Sequence, residues 1–335
     1  MLNSWTSLLR FVRPLTIRSL FLAVALAHVT DLNAQNGDQT QQDELAPTSL
    51  SYSDPIEFRW KVGCRIVGGA DKCKNMIVTL PLPSDWPEQT AALDSEDIPS
   101  EVRVTKYRTL DGGVKQLIML LPSVPANEEI LISQTYRVRV SRIEGAQQTN
   151  TLEIPKRVEK VNRPYLGVSP MISYRNSKMR AKVKEITADH ETAWAKVEAI
   201  FDWVRENIEL HEEESEDTLS VFRARAGNTE DKVALFVGMC RALKVPARMV
   251  WVDGNQTAEF FLINEEGYGN WYPCQVAGPR EFGSMSDVRV VLQKGDNFKV
   301  PEKEAPQKFV AEFAITKGKV RPSVEFSREL LPEQN

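Results

Sequence analysis

The chain is 335 residues long with 42% hydrophobic content, enough for two domains with their own cores. Its 42 Lys and Arg against 46 Asp and Glu leave a net charge of −4, which gives no electrostatic footprint for nucleic acid. With 4 Cys and 3 His in the whole chain, ligands for a metal are scarce, and neither a metal nor a cofactor is expected.

Arg10, Arg13 and Arg18 precede an uncharged apolar run from Ser19 to about Thr30. That run is too short to span a bilayer as a helix and reads as a secretory signal peptide over residues 1–34, with cleavage after Ala34 or after Ala27. Its removal takes away three Arg and Asp31, a net of +2, and leaves a mature chain of −6 with no further membrane-spanning segment. An exported protein, periplasmic or secreted, is therefore expected, with its cysteines in an oxidising compartment.

Residues 35–50 are rich in Gln, Asp and Asn and read as a flexible lead-in. From Ser51 the texture changes to period-two alternation. Phe58, Trp60, Val62, Cys64 and Ile66 fall on every second position, and the same period recurs from Ile130 to Val140, so both stretches read as half-buried strands. Asp111-Gly112 joins 102–110 to 114–121 as a hairpin. Short strands with Gly and Pro punctuation predict an antiparallel β-sandwich over 51–150. Cys64 and Cys73 flank Gly68-Gly69, a spacing compatible with a disulfide-bridged hairpin; Cys64 also lies on the apolar face, where a free buried thiol is equally ordinary.

A connector over 151–175 follows, and then a helical pattern from Asn176 to Ile208, with Val197, Ile200, Phe201 and Val204 on one side. The acidic run Glu209 to Asp217 reads as a solvated loop, with a calcium site or a docking loop for a basic partner as alternatives. Residues 283–335 mix Lys, Glu and Pro with few apolar pairs and predict an extension that packs on the core and frays toward its end.

The stretch Gly227-Asn228-Thr229, the apolar run to Cys240, and Arg241-Ala242-Leu243-Lys244-Val245-Pro246-Ala247-Arg248 resemble the nucleophile segment of the transglutaminase-like superfamily. So do Asn255-Gln256-Thr257-Ala258-Glu259-Phe260-Phe261 and Gly269-Asn270-Trp271-Tyr272-Pro273-Cys274-Gln275. The resemblance covers about residues 165–280 and implies a papain-like α+β core over 176–282, following an N-terminal β domain as is common in the family. It also implies a catalytic Cys, His and Asp, and here Thr229, Asn255 and Gln275 stand in those places.

A cysteine transferase needs a thiolate made beside an imidazole at a helix N-terminus. Thr229 has a far higher pKa and no base in the matched positions; ahead of Glu230 and Asp231 it also reads as an ordinary helix N-cap. The expectation is a catalytically degenerate transglutaminase-like protein, not an enzyme, that binds a peptide, protein or cell-envelope ligand, with Trp271 and Glu259 as candidate binding residues. Two alternatives stay open. One is an active acyl transferase or peptidase with Cys240 or Cys274 as a relocated nucleophile near Glu259; the other is a structural scaffold of the envelope.

Overall fold

The computed structural model describes residues 48–316 and 319–332, so the expected signal segment and most of the lead-in lie outside the described residues. Strands β1 (Ser51–Tyr52), β2 (Ile56–Val67), β3 (Cys73–Leu82), β4 (Gln89–Asp97), β5 (Arg103–Thr109), β6 (Lys115–Val124), β7 (Glu129–Val140) and β8 (Ile143–Glu144) come first. A 3-10 turn at Arg163–Leu166 leads to α1 (Ser177–Ile186), α2 (Ala193–Asn207), β9 (Glu209–Leu210), α3 (Thr218–Ala224), β10 (Ala226–Gly227) and α4 (Thr229–Ala242). The chain then forms β11 (Ala247–Val252), β12 (Asn255–Ile263), β13 (Gly269–Gln275), β14 (Glu281–Phe282), β15 (Val291–Lys294), β16 (Phe313–Ile315) and β17 (Ser323–Leu331).

The early strands make a sandwich of two antiparallel sheets, ordered β17-β2-β7-β4 and β16-β3-β6-β5. Alternation sets the inner faces: Trp60, Val62, Cys64 and Ile66 of β2 and Ile132, Tyr136 and Val138 of β7 meet Met76, Val78, Leu117 and Met119 of the facing sheet. The hairpin at Asp111-Gly112 forms as its sequence predicts, with Thr109 opposite Lys115.

Two expectations are corrected here. The C-terminal segment is strand as far as Leu331: β17 runs against β2 from Ser323 opposite Val67 to Leu331 opposite Arg59, and β16 pairs with β3, while the last residues lie outside the described ones. Val324 and Phe326 alternate inward onto the sandwich core, so this polar-looking tail covers what would otherwise be open edges of β2 and β3. Cys64 and Cys73 do not sit in one hairpin. They belong to opposite sheets, and both are buried free thiols. The connection between them bonds to the β6–β7 turn instead of to itself, through Gly68 N–H to Glu128 O at 2.8 Å and Asn127 N–H to Gly69 O at 3.1 Å.

The second layer is the antiparallel sheet β14-β13-β12-β11-β15 with the helices packed on one face. Asn176 caps α1 and Thr192 caps α2, dividing the helical stretch into two. Helix α4 is buried all round from Asp231 to Arg241, the pattern of a central helix and not of an amphipathic one. Between α4 and the sheet lie Phe236, Met249, Phe260 and Tyr272. Among the described residues no helix is long and apolar enough to cross a membrane.

Because all four cysteines are buried and free, a thiol reagent is expected to modify essentially none in the folded protein and all four after unfolding. Recovery of two fewer thiols after unfolding without reductant would show a disulfide and contradict the free state of these cysteines.

Candidate functional site

The approach to α4 is built from short-range constraints. Helix α3 ends at Arg225 in the left-handed region, φ 60°, with its guanidinium 4.4 Å above the Trp203 ring. The chain then pairs Ala226 and Gly227 in parallel with Glu209 and Leu210. Gly227 is required by close approach, since a Cβ there would stand 2.7 Å from that of Asp231. Asn228 accepts from Asp231 N–H at 2.9 Å while its own N–H donates to Asp231 Oδ2 at 3.1 Å, a reciprocal capping box. Thr229 is therefore the first helical residue and not the N-cap that its position before Glu230 and Asp231 suggests. The stronger cap, Asn228, has its Asp partner three residues on, and takes the role. One turn further, Lys232 Nζ donates to Ile208 O at 2.7 Å and Arg205 O at 3.2 Å, pinning this terminus to the end of α2. Burial, and then the Arg205 charge, lower the Lys232 pKa.

Topology carries the three matched positions to one end of the layer. Helix α4 advances about 21 Å over its length, and after the turn at Lys244, φ 68°, strand β11 returns about 20 Å in the opposite sense. Its last residue, Val252, pairs with Asn255 across a tight hairpin whose Gly254 has φ 67°. Gln275 ends β13, the next strand over, opposite Glu281. Arg205 links the groups: its carbonyl accepts from Lys232, and its guanidinium donates to Gln275 O at 3.0 Å and Gly278 O at 2.9 Å. Thr229 and Asn255 are half-buried, whereas Gln275 is buried with its Oε1 unpaired. No hydrogen bond joins any two of the three among the described residues.

The structure adds one residue that sequence reasoning left isolated. His211 N–H donates to Gly227 O at 2.9 Å, which places this histidine beside the entry to α4. Its Nδ1 accepts from Glu213 N–H at 3.3 Å. Only the parallel pairing of β9 with β10 creates this proximity, and two-residue strands carry no periodic signal.

Glu259 and Trp271 sit in an internal network instead. Glu259 is 3% exposed; its Oε2 accepts from Arg248 Nε at 2.7 Å, and Lys294 Nζ donates to Oε1 at 2.5 Å. Lys294 also pairs with Glu88 of the sandwich at 2.6 Å. Burial acts to raise the Glu259 pKa, but Arg248 and Lys294 outweigh it and hold the carboxyl below its usual range. Arg248 lies 4.1 Å over Trp271, which meets Tyr165 edge-on at 5.1 Å. The adjoining cavity, lined by Glu88, Thr257, Glu259 and Pro273 among others, holds only about 40 Å³, roughly the volume of one water. Cys240 and Cys274 are wholly buried, and burial pushes both thiols up. Among the described residues no three His, Cys, Asp or Glu side chains gather as metal ligands.

Residues 180–277 match the model of the transglutaminase-like superfamily, and this part of the chain is a transglutaminase-like domain. The whole arrangement is similar to the crystal structure of a candidate cysteine protease from Cytophaga hutchinsonii. The two share 15% identity and a TM-score of 0.56, over 86% of this chain and 94% of that one, which shows a common fold. A candidate protease from Parabacteroides distasonis aligns at 11% identity over 66% of this chain and 48% of that one, with a TM-score of 0.26, too low to bear on the fold. No curated protein matches the chain.

Since Glu259 has a lowered pKa, its stabilising contribution is complete above the ordinary value of 4.5 and is lost as pH falls through the folded value. Glu259→Gln is expected to cost about 3–5 kcal/mol near neutral pH, because it leaves Arg248 buried without its counter-ion. Urea unfolding of both proteins across pH should show that difference shrinking below 4.5. A pH-independent difference would place the stabilisation outside the ion pairs.

Proposed function

We propose that this is an exported protein whose transglutaminase-like domain has lost cysteine chemistry and acts as a binding module for a peptide-like or cell-envelope partner. The observation that carries the reading is Thr229 at the first position of α4, with Asn255 and Gln275 at the same end of the layer. A threonine hydroxyl becomes a nucleophile only beside a base, and an amide cannot exchange a proton as imidazole does. His211 stands at this helix end, but its Nδ1 is engaged with Glu213 N–H and no hydrogen bond joins it to Thr229.

A relocated cysteine is disfavoured by the same physics. Cys240 and Cys274 are sealed inside the helix–sheet core, and desolvation favours their neutral thiols, whereas attack on a carbonyl needs an accessible thiolate. The peptide-like partner is supported by the fold shared with a candidate cysteine protease, whose substrates would be peptides. Export is supported by the sequence alone, through the Arg-flanked apolar run before Ala34.

Glutamine–amine transfer and peptide hydrolysis are expected to be absent from the purified protein and to appear when Thr229→Cys, Asn255→His and Gln275→Asp are introduced together. Native activity that disappears in Thr229→Ala would overturn the reading. For export, the N-terminus of the protein recovered from the periplasmic or secreted fraction is expected to begin at Gln35; a full-length N-terminus in the cytosolic fraction would contradict it.

A further inference from the structure

On another side of the molecule a cavity of about 600 Å³ opens between the β5–β6 turn, the 3-10 turn at Arg163–Leu166 and the loop after β15. That volume is within the range of small-ligand sites. Its floor is aromatic and fixed. Phe298 is buried beside Leu110, Val114 and Val310, and its backbone exchanges two hydrogen bonds of 2.8 Å with Gln307. Tyr165 is held by its edge-on contact with Trp271.

Two glycines of the lining pack directly on these aromatic rings. A Cβ on Gly112, φ 86°, would lie 3.2 Å from the Phe298 ring and 3.6 Å from the Tyr165 hydroxyl; on Gly295, φ 134°, it would lie 3.0 Å from Phe298 and 3.7 Å from the Tyr165 ring. Both backbones occupy the region that glycine alone adopts freely. Any other residue at either position would be strained and would crowd the aromatic floor.

The rim supplies charge. Lys160 and Lys299 line the cavity, both are exposed, and among the described residues neither ammonium has an ion-pair or hydrogen-bond partner. Asp296 is neutralised by Arg241 at 2.6 Å, which leaves Asp111 as the free carboxylate of the lining. Two cations against one anion suit a monoanion, and the apolar floor, with Val161 and Pro164 beside it, suits a hydrophobic group.

We propose that this cavity binds an aromatic or large apolar residue bearing a free α-carboxylate, with the carboxylate between Lys160 and Lys299 and the side chain against Tyr165, Val161 and Pro164. The site is independent of the assignment at Thr229. Its ligand chemistry is shared by a free N-acylated amino acid and by the C-terminal residue of a peptide.

The test is a calorimetric titration of the full mature chain with N-acetyl-phenylalanine, its uncharged amide, and a tetrapeptide ending in phenylalanine, with tryptophan emission followed in parallel. The acid should bind saturably and perturb emission through the Tyr165–Trp271 contact, and the amide should bind at least about tenfold more weakly. Lys160→Ala with Lys299→Ala should lose about the same factor at an unchanged Tm, and Asp111→Asn should tighten binding. A tetrapeptide tighter than the acid identifies a peptide C-terminus as the source; a weaker one identifies the free acid. Equal binding of acid and amide, an unaltered double-lysine variant, or no saturation by about 10 mM acid would each overturn the proposal.

Discussion

Burying α4 along nearly its whole length takes Asp231, Lys232 and Arg241 out of water, and the surrounding segments are held where they answer those charges. Asp231 accepts from Ser215 N–H and Asn228 N–H, fixing the acidic loop and the helix cap. Lys232 takes the carbonyl end of α2. Arg241, at the other terminus, donates to Ala247 O at 2.8 Å, Gly167 O at 2.9 Å and Asp296 at 2.6 Å, tying together the entry to β11, the connector and the loop after β15. The end of the helix that carries Thr229 is thus positioned by the buried side chains of Asp231 and Lys232.

The same economy joins the sandwich to the core. Lys294 lies between Glu88 of the sandwich and Glu259 of the central sheet, and Gln89 bonds both the N–H and the C=O of Val291 at 2.7 and 3.0 Å. The chain leaves the sandwich after β7, builds the helical layer and central sheet, and returns through β15 to add β16 and β17. The sheet that begins at β2 is completed by residues more than two hundred positions later, a pairing of high contact order.

How much of this was legible varied with the range of the determining interaction. Strands β2 and β7, the hairpin at Asp111-Gly112 and helix α2 follow from period and turn chemistry within a dozen residues. The central sheet was legible through the resemblance around Trp271, Pro273 and Arg248. Strand β17 was not: Ser323–Leu331 reads as a charged tail, and its two inward apolar residues gain meaning only from the open edge of β2. The exchange of Thr229 for Asn228 as cap was a near tie of two good capping residues, decided by the reach of the Asp231 side chain. The approach of His211 to Gly227, and the cavity between Lys160, Tyr165 and Lys299, depend on segments that only the folded chain brings together.

The matched residues of α4 and the central sheet divide into two physical classes. Arg248, Glu259 and Trp271 are bound into one another by a buried ion pair and a cation–π contact, and replacing Arg248 or Glu259 strands the other in a low-dielectric interior. Thr229 and Asn255 are half-buried, with no side-chain hydrogen bond among the described residues, so the structure around them imposes little. Gln275 is intermediate, buried by Gly278 and Arg205 yet with one amide oxygen unanswered. Stability therefore constrains Arg248 and Glu259 far more tightly than Thr229 and Asn255. For this reason the framework residues are evidence for the fold, and the chemistry has to be argued from Thr229, Asn255 and Gln275 themselves.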